Sequence, residues 1–98
     1  MPKLLLPLLL GLALMAAAAP TRAACYADYK AKQDGPLRLH YGVIELNGAA
    51  CDDKAAARAE IAGRIRSDGW RLLTVMSIFD RAGLDQRRQS AGNYFLRY

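Results

Sequence analysis

Apolar and polar positions alternate most cleanly over residues 37–46, LRLHYGVIEL. Leu37, Leu39, Tyr41 and Val43 are separated by Arg38, His40 and Gly42. Period two with aromatic and β-branched residues predicts a strand whose odd-numbered positions face inward. Ile44 and Leu46 make its far end apolar on the second face as well, and Asn47-Gly48 ends it. Gln33-Asp34-Gly35-Pro36 just before is a turn signal. Residues 26–32, YADYKAK, fit a short strand or a helical turn equally.

The period changes after Asp52-Asp53. Either acid can cap a helix and suits the positive end of its dipole. The body, residues 54–66, is rich in Ala, Arg, Glu and Lys. Ala55, Ala59, Ala62 and Ile65, with Ile61 at the edge, form the expected inward stripe. Glu60 and Arg64 stand four apart, the spacing of a helical ion pair on the wet side. Arg58 falls inside the stripe and fits it poorly. Gly69 is placed to end the helix in a left-handed conformation.

Residues 70–79, WRLLTVMSIF, follow at once. Large apolar residues fall on both alternating sets, which is the pattern of a strand covered on two faces. Residues 80–91 lose that pattern and predict a short helix over 83–91, closed by Gly92-Asn93. Residues 94–98, YFLRY, predict a last short strand. The sum is an α+β fold. It is a small two-layer sandwich with a three- or four-stranded, mostly antiparallel sheet, one main helix and one short helix. The alanine helix covers one face of the sheet. The second face is left to the short helix, to the N-terminal segment or to another molecule, and an apolar face left open marks a contact surface.

The beginning of the chain stands outside this plan. Lys3 precedes an uncharged apolar run over residues 4–19, and Pro20-Thr21-Arg22-Ala23 supplies small residues for cleavage after Ala23. That is the layout of a secretory leader, residues 1–23, leaving a single domain over 24–98. The run contains Pro7 and Gly11 and is 16 residues long, short of the ~20 that span a bilayer. No transmembrane span is expected after the leader is removed. Arg22, three before Cys25, argues against lipid attachment.

Export changes the reading of the charges and cysteines. The chain has 14 basic and 9 acidic residues. Lys3 and Arg22 leave with the leader, so the basic excess is modest and nucleic acid is not an expected partner. A domain this small is marginal on its core alone. Cys25 and Cys51 are the two cysteines, and an even count in an oxidising compartment, periplasmic or secreted, predicts one disulfide. With one histidine and no CxxC spacing, no metal site is expected.

The run Asp68-Gly69-Trp70-Arg71-Leu72-Leu73-Thr74-Val75 resembles small bacterial domains of unknown function. These carry a helix, an acidic residue, Gly-Trp and a strand with alternating apolar residues; Tyr29-Lys30 echoes their opening strand. The resemblance implies a compact strand-helix-strand-strand domain and no activity. The chain departs from it at Arg71, where a glutamate is usual, and in its cysteines.

No fingerprint of a hydrolase, metalloprotease or nucleotide-binding site occurs, and no cofactor is expected. His40 is the single histidine, mid-strand among apolar neighbours, and is the residue an enzyme would have to use. Arg81, Arg87, Arg88 and Arg97 form a candidate anion or partner contact, although Asp80 and Asp85 lie beside them as on an ordinary solvated face. The expected function is therefore a small exported, non-catalytic binding or interaction module. Its candidate partners are a second copy or another exported protein. The alternatives are an inhibitor or regulator of an exported enzyme and, behind it, an enzyme built on His40.

Overall fold

The structure, a computed structural model, describes residues 24–98; the expected leader, residues 1–23, lies outside the described residues. Five regular elements follow one another: β1 (Cys25–Gln33), β2 (Arg38–Leu46), α1 (Lys54–Ile65), β3 (Arg71–Asp80) and α2 (Asp85–Ala91). Short 3-10 turns precede α1, follow it, precede α2 and follow it, at Gly48–Cys51, Arg66–Asp68, Arg81–Gly83 and Gly92–Tyr94. The three strands form one antiparallel sheet in the order β2-β1-β3. The fold is thus the expected small α+β domain.

The ambiguous segment 26–32 is a strand, and it is the centre of the sheet. Ala27, Tyr29 and Ala31 lie across from Ile44, Gly42 and His40 of β2. They join Leu46, Val75 and Trp70 in the core beneath α1. Alanine at two of these three positions lets the helix approach closely. At Gly42 the closeness is extreme, because the Tyr29 ring occupies the space a side chain would take. The inward face of β2 is therefore His40, Gly42, Ile44 and Leu46. The odd-numbered set expected there points the other way, with Leu37 and Leu39 mostly in solvent.

α1 begins where expected. The Asp53 carboxylate accepts hydrogen bonds from the amides of Ala55 (2.9 Å) and Ala56 (3.4 Å), satisfying donors that the first turn leaves unpaired. Its buried stripe is Ala57, Ile61 and Ile65, not the alanine row 55-59-62. The reason is area: turning the helix to bury two isoleucines removes more apolar surface from water than burying alanines. The same rotation carries Arg58 out to an exposed flank and removes the conflict it posed. Gly69 ends the turn after α1 with φ of 81°, in the left-handed region where glycine meets no steric cost.

Residues 71–80 are extended, but two-sided cover belongs to β1 and not to β3. β3 is an edge strand. Its pairing with β1 skips Met76 and Leu73, two bulge residues, and these are the exposed ones, at 46% and 45%. A bulge adds a residue that the ladder cannot pair. The apolar run of β3 thus exceeds what two clean faces can bury, and the surplus goes to solvent.

The last expected strand, 94–98, does not form. A 3-10 turn occupies Gly92–Tyr94, a single parallel bridge joins Val43 and Phe95, and Leu96 turns away with φ of 55°. This tail still closes the outer edge of β2, the Leu96 amide donating to the Val43 carbonyl at 2.8 Å. α2 covers one end of the second face, and Val43 and Ala91 are buried there. The remainder is a shallow apolar depression of about 260 Å³ lined by Lys30, Leu39, Tyr41 and Leu73 among others. Cys25 and Cys51 are bonded, with Cα atoms 5.8 Å apart, tying the start of the central strand to the loop ahead of α1. An oxidising, exported compartment is compatible with that bond. Among the described residues no helix is long and apolar enough to cross a membrane.

Candidate functional site: an arginine-lined groove beside α1

The two flanks of α1 are used differently. On the flank toward β2, Arg64 donates to Glu60 (2.8 Å), to the Glu45 carbonyl (2.6 Å) and to the main-chain oxygen of Tyr98. Glu60 in turn accepts from the Asn47 amide at 3.3 Å. The expected Glu60–Arg64 pair exists, but it is half-buried and holds the β2 end and the C-terminal tail to the helix. These charges are consumed by the fold.

The opposite flank carries Arg58, Ala62 and Arg66 at i, i+4 and i+8. They face the entry into β3, where Gly69 turns the chain and Trp70, Arg71 and Leu72 follow. Together these residues line an open groove of about 480 Å³. Trp70 is buried and gives the floor its apolar character. Its amide donates to the Ile65 carbonyl at 3.3 Å, which locks the floor to the end of α1. The rim is basic and exposed. None of the ion pairs among the described residues uses Arg58, Arg66 or Arg71, and no carboxylate lines the groove. Asp68, the acid nearest in sequence, is engaged by the Tyr98 hydroxyl at 2.7 Å. Arginine offers a planar fork of donors that matches carboxylate and phosphate oxygens. Three of them without partners over an apolar floor can hold an anion and can neutralise more than one charge.

The four arginines expected as one candidate contact have different surroundings. Arg87 is already occupied by a carboxylate: its Nε donates to Asp28 at 3.0 Å, and its guanidinium lies 3.9 Å from the centre of the Phe79 ring. Asp28 also accepts from Tyr41 (2.8 Å) and Ser77 (2.6 Å). Burial alone would raise this carboxyl. Hydrogen bonds from Ser77, Tyr41 and Arg87, together with the charge of Arg87, hold it below the ordinary value instead. Burial and the hydrogen bond to Asp28 push the Tyr41 hydroxyl up to about 12. The cluster fastens α2 to the sheet and gives Arg87 a carboxylate partner within the domain. Arg88 pairs with Asp85 at 3.5 Å and stacks on Phe95. Arg97 lies over Tyr94 and Tyr98, and Arg81 is exposed in the turn before α2.

His40 is 7% exposed and is walled in by rings. Tyr94 stacks on it with centroids 3.7 Å apart, Trp70 meets it edge-on at 4.2 Å, and its Nε2 lies 3.0 Å from the Tyr29 hydroxyl. Burial pushes its pKa down to about 4, with the charge of Arg97 adding to the effect. The imidazole is therefore neutral at pH 7 and serves as a packing ring. Burial likewise drives the Tyr29 hydroxyl far above its usual range, so it stays protonated. Among the described residues no group of three His, Cys, Asp or Glu side chains is placed to hold a metal ion.

Sequence reasoning did not assemble the groove, though one of its members stood out. Arg58 was the misfit in the helix pattern. Arg58 and Arg66, two turns apart on one flank, were the readable signal. Comparison with known proteins finds no matching family, no matching curated protein and no matching solved structure.

Proposed function

We propose that the protein is a small exported, non-catalytic binding module that recognises an anionic partner through the groove of Arg58, Arg66 and Arg71. One observation carries this reading. In a domain where Arg64, Arg87 and Arg88 each have a carboxylate, three arginines share a concave surface and have none. Like charges lining one groove without partners leave a positive field there, and a bound anion neutralises it. The apolar floor of Trp70, Leu72 and Ala62 adds contact area that a bare charged surface lacks.

Inorganic pyrophosphate, followed through the fluorescence of Trp70, is the simplest probe. Binding is expected to weaken steeply with salt. It is expected to be lost in the triple variant Arg58→Gln/Arg66→Gln/Arg71→Gln, whose urea midpoint stays near the wild-type value because none of the three arginines is paired. Equal binding by the triple variant defeats the reading. Export has its own check: the protein recovered outside the cytoplasm begins at Ala24 and takes up no thiol label without reductant.

A further inference from the structure

Resting on that reading, we infer that the groove's partner is an acidic, extended segment of another protein, which pairs with the free edge of β3 as a fourth strand. The two edges of the sheet differ. The outer edge of β2 is closed by the C-terminal tail through the Val43–Phe95 bridge and the Leu96 amide. β3 pairs only with β1 among the described residues, so its other edge offers backbone donors and acceptors to an incoming strand.

The groove opens at the start of this edge, because Arg71 and Leu72 belong to both and Trp70 immediately precedes β3. Arg58 and Arg66 are separated by two helical turns, about 12 Å along the axis. One phosphate or carboxylate cannot bridge that span. An extended segment covers it in about four residues at ~3.3 Å each, with alternate side chains on the same face. Acids on the helix-facing side meet Arg58 and Arg66. Arg71 lines the same groove at its β3 end and meets a third acid of that set.

Charge also selects against a second copy of this chain. An edge bearing Arg71, beside a flank bearing two more arginines, repels its own image and admits an acidic strand. The bulges at Leu73 and Met76 interrupt the regular run and keep the docked segment short.

The test uses the purified protein and the capped hexapeptide Glu-Val-Glu-Val-Glu-Val. Two charge-identical versions are compared with it, one N-methylated at every Glu and the other at every Val. Strand addition needs the amides of one alternate set, so one methylated version is expected to bind about tenfold more weakly and the other nearly as well as the parent. Hydrogen exchange at β3 amides is expected to slow when the parent peptide binds. The double variant Arg58→Gln/Arg66→Gln is expected to lose about tenfold in affinity. If both methylated peptides bind like the parent, or if pyrophosphate binds through the arginines and the peptide does not, strand addition is overturned while the groove stands. If neither probe binds, both readings fall.

Discussion

Gly42 offers the sharpest test of how the core is assembled. A methyl group at this position would sit 2.5 Å from the Tyr29 hydroxyl oxygen and 2.6 Å from Cζ of the same ring. Relaxed carbons approach to about 3.5–4.0 Å, so the overlap is about 1 Å. The ring has nowhere to go. Tyr29 is fully buried, its hydroxyl lies 3.0 Å from His40 Nε2, and His40 is pinned between Tyr94 and Trp70. Overpacking of this kind costs about 1–3 kcal/mol. Replacing glycine also narrows the unfolded ensemble, which returns about 0.5–1 kcal/mol. Gly42→Ala is therefore expected to destabilise the protein by about 1.5 kcal/mol. Gly63 is the matched control. It lies in α1 with nothing within 4 Å of an added methyl, so Gly63→Ala is expected to stabilise by about 0.5–1 kcal/mol through helix propensity alone. Urea denaturation followed by Trp70 fluorescence measures both. With a slope near 1 kcal/mol per molar urea, the two midpoints move in opposite directions by roughly 1.5 M and 0.5–1 M. A Gly42→Ala midpoint at or above wild type would show that Tyr29 does not fill the notch, and the packing argument would fail with it.

Other perturbations probe the remaining supports. The disulfide closes a loop with a sequence separation of 26, which in the chain-entropy treatment contributes about 3.5 kcal/mol; Cys25→Ser/Cys51→Ser is expected to lose about that much in urea. Arg87→Met strands the Asp28 carboxylate in a buried site and is expected to cost about 3 kcal/mol, read by the same denaturation. Asp28 has a native pKa below its unfolded value of 3.8, so its stabilisation is present above that pH and is lost as pH falls through the native value. Arg87→Met should weaken that acid dependence. His40 acts at higher pH: the native imidazole titrates near 4 and the unfolded one near 6.5. Between those values the unfolded chain binds a proton that the native one refuses, so stability falls with falling pH, by at most about 2 kcal/mol between pH 7 and 5. His40→Phe should abolish that slope, and an unchanged slope would place its origin elsewhere.

Several elements could be read locally because their signals are local. Asp53 caps α1 through amides two and three residues away, Gly69 ends the turn after it by its own backbone freedom, and the paired cysteines need only an oxidising compartment to be read as a bridge. The extended state of residues 38–46 and 71–80 follows from β-branched and aromatic residues between turn formers. Periodicity, however, reports which residues share a face and not which face meets the core. β2 therefore turned its even-numbered residues inward, because Gly42 alone admits the Tyr29 ring. α1 kept Ile65 inward as expected and buried Ile61 and Ala57 beside it in place of Ala55, Ala59 and Ala62. β3 became an edge with two surplus residues in solvent, and YFLRY became a strap closed by one bridge.

The charges divide in the same way. That arginines are present in excess is a property of composition. Which of them remain free is decided by neighbours far away in the chain: Arg87 meets Asp28 across 59 residues, and Arg64 meets Tyr98 across 34. By itself the sequence determined where chain segments start, stop and extend, since those choices depend on a few adjacent residues. Only the tertiary structure decided which faces are dry, which edge is open and which arginines lie in one groove without a carboxylate, since each depends on what the folded chain has already used up.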